Sequence, residues 1–237
     1  MDIEVAHATV RFGGVRAVDD LSFRYAGGGV LGLIGPNGAG KTTLLNVLSG
    51  VSRLDSGTIT LSGTDIARLG AEKIARLGVA RTFQNLQVFD SLSVLDNVLV
   101  PRWALHGRKA ADRGSGLTVL ERVGIAEHAD RLAGTLAYGL QRRVELARAL
   151  AVEPELLLLD EPLAGLSHVE GERATRLFAE LAEDGITVVL VEHDVRSVLA
   201  VSNHVVVLDH GTVLATGTPD EVVTDPAVRR AYLGEVD

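Results

Sequence analysis

One glycine-rich stretch constrains this chain more than any other. It fits the phosphate-binding pattern G-x-x-x-x-G-K-[ST] at every fixed position, with Gly35, Pro36, Asn37, Gly38, Ala39, Gly40, Lys41 and Thr42. The apolar residues 30–34 before it predict a buried strand, and residues 43–49 after it predict a helix that stops at Gly50. A strand, a glycine loop and a helix in this order predict a site for the phosphates of a nucleoside triphosphate.

The residue types of this stretch suit bound phosphate. Glycines let successive backbone N–H groups face one point, and a helix N-terminus adds a favourable field for negative charge. We expect Lys41 to bridge the β- and γ-phosphates and the Thr42 hydroxyl to ligate Mg²⁺, with Thr43 lining the same site. The alternative is a glycine-rich turn without a ligand, but such a turn would not require Lys41 and Thr42.

Composition narrows the class of protein. The 237 residues include 46% hydrophobic ones, which predicts an ordered globule with a sizeable core. The net charge of −8 argues against nucleic-acid binding through a broadly basic surface, although it leaves a local basic patch open. The absence of cysteine fits a reducing compartment. The apolar runs are too short to span a bilayer, and the acidic N-terminus does not read as a signal peptide. We therefore expect a cytoplasmic chain that reaches a membrane only through a partner.

Acidic residues follow a second apolar run. Residues 156–159 are all leucine and predict a strand buried on both faces, followed by Asp160 and Glu161. Because ligands bind at the carboxyl ends of parallel strands, Asp160 is predicted to hold Mg²⁺ and Glu161 to polarise the attacking water. The structural alternative is that Asp160 only caps the next helix. A further buried strand at 187–191 ends before His193, which should face the same crevice.

The remaining pattern alternates strands and helices. Residues 3–10 and 21–25 predict strands around Gly13 and Gly14, with Phe12 at the hairpin tip, where it could pack in the core or stack on a base. The other predicted strands are 57–61, 79–83, 205–209 and 212–215. The predicted helices are 66–76, 91–100 closed by Pro101, 117–123, 141–151, one capped by Thr218, and 226–233, with an exposed connection at 106–116. Residues 86–136 read as a mainly helical insert.

The order of these elements resembles the ATPase subunit of an ATP-binding cassette (ABC) transporter over essentially the whole chain. The resemblance implies an α/β P-loop NTPase core with an N-terminal antiparallel β subdomain and an inserted α-helical subdomain, in a single domain spanning residues 1–237. The matching positions are the aromatic Phe12, the loop 35–42, Gln84, the signature at 136–140, the carboxylates Asp160 and Glu161, the loop 165–167 and His193.

The same resemblance implies roles for these residues. Those implied in catalysis are Glu161, His193, Lys41 and Gln84. The implied Mg²⁺ ligands are Thr42, Gln84 and Asp160, and Phe12 would stack on adenine. The signature residues Ala137, Tyr138 and Gly139 would contact the ATP of a second cassette. ATP and Mg²⁺ are therefore the expected cofactors.

Four short segments resemble the sequences of bacterial branched-chain amino-acid importers: 80–85, 138–143, 191–194 and 231–235. Importers of urea and short amides share many of the same sequence features. The resemblance implies a transmembrane permease, a second identical or paralogous cassette and, indirectly, a solute-binding protein as partners, and no nucleic acid. It also implies a peripheral position on the inner face of the cell membrane.

The chain departs from the family pattern at the signature and at the loop that follows Glu161. Ala137 replaces Ser, Leu140 replaces Gln, and Ser167 with His168 stands where Asn or Asp followed by Pro is more common. One alternative is therefore a catalytically weakened subunit of a heterodimeric cassette pair. Another is an ABC protein without a transport role.

Overall fold

The computed structural model describes residues 1–233 and every side chain among them except those of Arg108, Tyr232 and Leu233. The strands are β1 (Ile3–Phe12), β2 (Val15–Tyr25), β3 (Gly29–Ile34), β4 (Ser56–Leu61), β5 (Thr64–Asp65), β6 (Val79–Arg81), β7 (Leu156–Asp160), β8 (Thr187–Val191), β9 (His204–Asp209) and β10 (Thr212–Gly217). The α-helices are α1 (Lys41–Leu48), α2 (Ala71–Arg76), α3 (Val94–His106), α4 (Arg113–Arg122), α5 (Tyr138–Leu150), α6 (His168–Glu183), α7 (Val195–Val201), α8 (Pro219–Thr224) and α9 (Pro226–Leu233).

The strands form two sheets. An antiparallel sheet has the order β2-β1-β4-β5, and a second sheet has the order β10-β9-β3-β8-β7-β6. In the second sheet the strands from β9 to β6 are parallel, and only β10 is antiparallel to its neighbour. The antiparallel sheet confirms the predicted N-terminal β subdomain, and the parallel sheet confirms the α/β core.

The central sheet is buried on both faces, as the leucine run predicts. Alternate residues of β7 enter different cores: Leu157 and Leu159 pack with α3, α5 and α6, whereas Leu156 and Leu158 pack with α1 and the antiparallel sheet. Neighbouring strand β8 divides in the same way. Since successive side chains of a strand point to opposite faces, a continuous apolar run is what a strand between two layers requires.

The strand order brings the candidate site residues to one edge. Strands β3, β8, β7 and β6 are neighbours, and the chain leaving their carboxyl ends leads to the loop 35–42, His193, Glu161 and Gln84 respectively. This edge is where ligands bind in open parallel sheets.

Several of the predicted helix boundaries are wrong. Helix α3 does not stop at Pro101 but continues to His106 with the proline inside it. Proline inside a helix costs about 3 kcal/mol. Here tertiary contacts oppose that cost, since the Arg102 guanidinium donates to the carbonyls of Ala110 and Ala151. The helix predicted at 66–76 forms only from Ala71, because the Asp65 carboxylate accepts from the Ala67 N–H in a turn.

The segment between β6 and α5 is helical in the described residues. It contains α3, α4 and three short 3-10 helices at 108–110, 126–128 and 133–135. The predicted exposed connection at 106–116 is partly wrong, since α4 already begins at Arg113, where the Asp112 side chain caps it through the Ser115 N–H.

The C-terminal elements follow the sequence pattern. Strands β9 and β10 form the predicted hairpin, and Thr218 and Glu221 form the predicted capping box at the start of α8. Helices α6 and α7 were not predicted. Of the C-terminal resemblance at 231–235, Gly234 and Glu235 lie outside the described residues.

Candidate functional site

The phosphate loop lies between β3 and α1, as predicted. Gly38 and Gly40 have φ angles of 82° and 102°, in the left-handed region that favours glycine. The Ala39 N–H donates to the Pro36 carbonyl over 3.1 Å, which closes the turn. Thr42 is exposed at the start of α1, and Thr43 beside it is half-buried. The loop therefore places its backbone and the N-terminus of α1 at the carboxyl edge of the central sheet.

Other segments brace this loop from behind. A Cβ on Gly40 would lie 2.5 Å from the Ala17 carbonyl oxygen, and one on Gly35 would lie 2.4 Å from that of Leu208. The Gly211 N–H also donates to the Ala39 carbonyl over 3.1 Å. Close backbone approach thus requires glycine at both positions, and the positive φ of Gly40 requires it there as well.

Lys41 is buried within the loop. Its ammonium donates to the carbonyls of Gly35 and Pro36 over 2.6 and 3.0 Å. Burial lowers the pKa of Lys41, while the charges of Glu161 and Asp160 oppose that shift. The amine is therefore hydrogen-bonded within the phosphate loop, close enough to both carboxylates for their charges to act on it.

The two oxygens of Asp160 differ in their contacts. Its Oδ2 accepts from Arg81 Nη2 over 2.8 Å, whereas no described group within residues 1–233 hydrogen-bonds to its buried Oδ1. Arg81 also donates to Asn46 of α1 and to Ser49 beyond its end, over 2.7 and 2.9 Å. A buried carboxylate oxygen of this kind can coordinate a metal ion or accept a hydrogen bond from a metal-bound water.

Glu161 lies between two other predicted site residues. Its Oε1 is 2.8 Å from His193 Nε2, and its Oε2 accepts from Gln84 Nε2 over 2.9 Å. Its backbone has a φ of 51°, which is uncommon for a non-glycine residue, and its N–H donates to Val191 of the neighbouring strand. The structure thus brings Gln84, Glu161 and His193 together around one carboxylate.

Glu192, next to His193, contacts the segment that follows Glu161. It is buried, and its Oε1 accepts from the Leu163 N–H over 2.6 Å. Burial raises the pKa of this carboxyl, and the hydrogen bonds from Leu163 and His193 only partly offset the effect. Glu192 therefore ties the segment after Glu161 to the end of β8.

The signature residues begin helix α5. Ala137 is the N-cap residue, and its side chain cannot accept a hydrogen bond from the helix. The Tyr138 ring packs closely on Gly165: a Cβ added to Gly165 would lie 2.8 Å from the ring. Among residues 1–233, no hydrogen bond joins Ala137, Tyr138 or Gly139 to the phosphate loop of the same chain. The structure does not bring these residues to the chain's own loop.

Ser167 occupies the position where Asn or Asp is more common. Its hydroxyl accepts from the Glu170 N–H, and the Glu170 carboxylate accepts from the Ser167 N–H, so that the two form a capping box at the start of α6. The Ser167 hydroxyl holds the pKa of Glu170 below its usual range. Serine thus keeps the capping ability that Asn or Asp would supply.

Phe12 ends β1 at the hairpin tip and is 55% exposed. Strand β2 of that hairpin passes behind the phosphate loop, where Ala17 meets Gly40. An aromatic ring in this position is free of the core in the described residues and available for stacking.

Sequence reasoning missed several polar residues of the site. They are Arg81, which pairs with Asp160, and the pair Arg142 and Glu145 of α5, which contacts the chain around Gln84. The apolar face of α5 was identified, but no local signal marks charged residues that are buried through pairing. Helix α6, in contrast, had a signal, since Ser167 and Glu170 fit the pattern of a capping box.

The described residues contain neither a preformed cluster of metal-binding side chains nor a membrane-spanning helix. Among residues 1–233, no group of three or more His, Cys, Asp or Glu side chains is placed to hold a metal ion. Magnesium needs no such group where substrate phosphates supply part of its shell. No helix in the same part of the chain has the length and apolar character needed to cross a bilayer.

Family models match two regions of the chain. The model described as ABC transporter matches residues 18–164, and the model described as branched-chain amino acid ATP-binding cassette transporter matches residues 212–237. The first match contains the phosphate loop, the signature and both carboxylates.

Similar proteins span almost the whole chain. The branched-chain amino acid transport ATP-binding protein LivG of Salmonella typhimurium is 43% identical, with 95% of each chain covered. BraF of Pseudomonas aeruginosa, with the same description, is 41% identical, with 98% of each covered. The lipopolysaccharide export system ATP-binding protein LptB of Escherichia coli is 38% identical, covering 94% of this chain and 92% of that one.

Solved structures share the fold. The ADP conformation of MJ1267, an ATP-binding cassette of an ABC transporter, superposes with a TM-score of 0.88 and 29% identity, covering 99% of this chain and 100% of that one. The dimeric post-hydrolysis state of the cassette MJ0796 with ADP and phosphate has a TM-score of 0.81 and 25% identity, covering 92% and 98%.

Proposed function

The chain belongs to the ABC transporter family of ATP-binding cassettes, and on that premise we propose that it is the ATP-hydrolysing subunit of a branched-chain amino-acid importer. LivG and BraF support the amino-acid assignment, as does the family match over residues 212–237. LptB belongs to an export system, but it is less similar, at 38% identity.

The contact of Glu161 with both Gln84 and His193 carries the proposal. Glu161 is the general base that polarises the attacking water, and His193 orients its carboxylate. Lys41 holds the β- and γ-phosphates together with the backbone of residues 35–42, while Thr43 lines the loop and Phe12 stacks on adenine. Positioning and charge stabilisation of this kind supply most of the catalysis in phosphoryl transfer.

Mg²⁺ would supply positive charge that neutralises the phosphates. The residues that would hold it are Thr42 through its hydroxyl, Gln84 through its amide oxygen, and Asp160 through its carboxylate, the last directly or through water. The buried Asp160 Oδ1, which accepts no hydrogen bond from the described part of the chain, supports this assignment. Arg81 keeps the other oxygen of Asp160 fixed, so that only one is available.

The site is completed by a second cassette. Within residues 1–233, no side chain caps the helix N-terminus formed by Ala137, Tyr138 and Gly139, and its N–H groups are available to the γ-phosphate of a partner's ATP. The dimer of MJ0796 with ADP and phosphate supports such a pair. The helical segment at about 86–136 acts as a subdomain that contacts a transmembrane permease, and a solute-binding protein delivers the substrate. The chain then lies on the inner face of the cell membrane.

The experiment is ATP turnover by the purified chain with Mg²⁺ over a range of protein concentrations, with Glu161→Gln as the control. Turnover that rises more steeply than linearly is expected if two copies suffice. ATP binding without turnover, restored by a paralogous cassette, would instead favour the weakened subunit of a heterodimeric pair. Absence of both binding and turnover would overturn the proposal.

A further inference from the structure

A buried ion pair joins helix α5 to the chain around Gln84. Arg142 and Glu145, one turn apart on α5, are 8% and 5% exposed, and their side chains pair over 3.0 Å. Removing the two charges from water costs free energy that offsets much of their mutual attraction, so the pair contributes little to the stability of the fold. We therefore expect the pair to orient the groups that it contacts.

The pair holds the backbone of Phe83 and Gln84 from both sides. Arg142 donates to the Phe83 carbonyl over 3.1 Å and to the Gln84 carbonyl over 2.7 Å, and the Glu145 carboxylate accepts from the Phe83 N–H over 3.3 Å. The rigid, planar guanidinium can serve these two carbonyls and the Glu145 carboxylate together, which the single ammonium of lysine cannot do with the same geometry.

The contacts continue in both directions. At one end, Arg142 Nε donates over 2.9 Å to the hydroxyl of Tyr138, which is one of the signature residues. At the other end, Gln84 Nε2 donates to Glu161 Oε2 over 2.9 Å. Hydrogen bonds and one residue of main chain thus connect Tyr138, Arg142, Gln84 and Glu161.

We propose that Arg142 is a positioning residue, which fixes Gln84 relative to α5 so that the Gln84 amide holds Glu161 in its reactive orientation. The inference rests on the proposed function, in which the start of α5 serves the ATP of the partner cassette and Glu161 serves the chain's own. Arg142 then couples the two composite sites of a cassette dimer, because a shift of α5 at one site moves Gln84 at the other.

The test is a double-mutant cycle on ATP turnover in the full chain. Arg142→Lys keeps a positive charge beside Glu145 but loses the fork that reaches both carbonyls. We expect kcat to fall by about tenfold, with the dissociation constant of ATP changed by less than about threefold, since small misplacements of catalytic groups act on the chemical step. In a Gln84→Ala background, Arg142→Lys should reduce kcat by less than about twofold, because its route of action is already absent.

The matched control is Arg113→Gln, which breaks an exposed pair with Asp130 outside the site and should leave turnover unchanged. An equal loss from Arg142→Lys in both backgrounds would mean a merely structural role and would overturn the inference. An unchanged kcat in Arg142→Lys would overturn it as well. The proposed function is judged separately by Glu161→Gln: if that variant turns over ATP normally, the assignment of Glu161 fails, whatever Arg142 does.

Discussion

The imidazole of His193 lies 2.8 Å from the carboxylate of Glu161, although the two residues follow different strands and stand 32 positions apart. The contact exists because β7 and β8 are neighbours in parallel register, with Asp160 beside Val191. Parallel strands end at the same edge of a sheet, so the residues that follow them meet there. The geometry of the site is therefore a consequence of strand order.

Replacing Glu161 by Gln should abolish turnover while leaving ATP bound. Glutamine keeps the size of the side chain but cannot polarise water, and loss of a general base costs about 10²–10⁴ in rate. Steady-state hydrolysis and equilibrium ATP binding measure the two effects. Glu155→Gln, at the exposed opposite end of the same strand, should behave as wild type. Normal hydrolysis in Glu161→Gln would contradict the assignment.

Replacing Lys41 by Ala should abolish tight ATP binding. The ammonium is buried in the loop and would lose charge-assisted hydrogen bonds to phosphate worth about 1.5–3 kcal/mol, a factor of roughly ten to a hundred in affinity. Titration with ATP measures the change. The exposed Lys73→Ala of α2 serves as the control for loss of one positive charge. Equal affinities in the two variants would mean that Lys41 does not contact phosphate.

Replacing Asp160 by Asn should remove the dependence of ATP binding on Mg²⁺. Asparagine preserves the shape but removes the negative charge, and Asp160 is the one carboxylate among the three proposed Mg²⁺ ligands. The variant should also be less stable by roughly 3 kcal/mol, because buried Arg81 loses its counter-charge. Binding is therefore compared with and without chelator well below the unfolding temperature. Asp184→Asn, in an exposed pair at the end of α6, should keep the full Mg²⁺ dependence; if Asp160→Asn does too, the metal assignment is wrong.

Replacing Glu192 by Gln should change how stability depends on pH. Burial raises the pKa of this carboxyl above its ordinary value of 4.5, so the folded protein retains a proton that the unfolded chain has released. The free energy of unfolding of the wild type should therefore fall, relative to the variant, as the pH rises from 4.5 through the raised pKa. Chemical denaturation across that range measures the difference. A wild type that gains stability relative to Glu192→Gln over the same range would contradict the sign.

The parts of the fold that depend on local pattern could be predicted from the sequence. The leucine run of β7, the glycine loop and the capping box of α8 each combine a residue type with a backbone requirement. Pro101 shows the limit: its local effect is unfavourable in a helix, yet the helix continues through it, supported by the contacts of Arg102 with the carbonyls of Ala110 and Ala151. Such contacts depend on which segments meet, and periodicity along the chain does not encode that.

The candidate site divides in the same way. The positions of Lys41, Asp160, Glu161 and His193 at strand ends could be predicted, because each follows a recognisable apolar run. The roles of Arg81 and Arg142 could not, because an arginine side chain usually stays in water. Only the folded chain shows that each is buried against a carboxylate.

The bracing of the phosphate loop by Ala17, Leu208 and Gly211 has a consequence for folding. Segments from near both ends of the described chain must be in place before the loop can hold its shape. Contacts of such high sequence separation form against a large loop-closure entropy, which makes them slow to establish. Nucleotide binding should accordingly be among the last properties acquired during refolding, and a chain truncated before β9 should lack it even with residues 35–42 intact. ATP binding is then evidence that the whole cassette has folded.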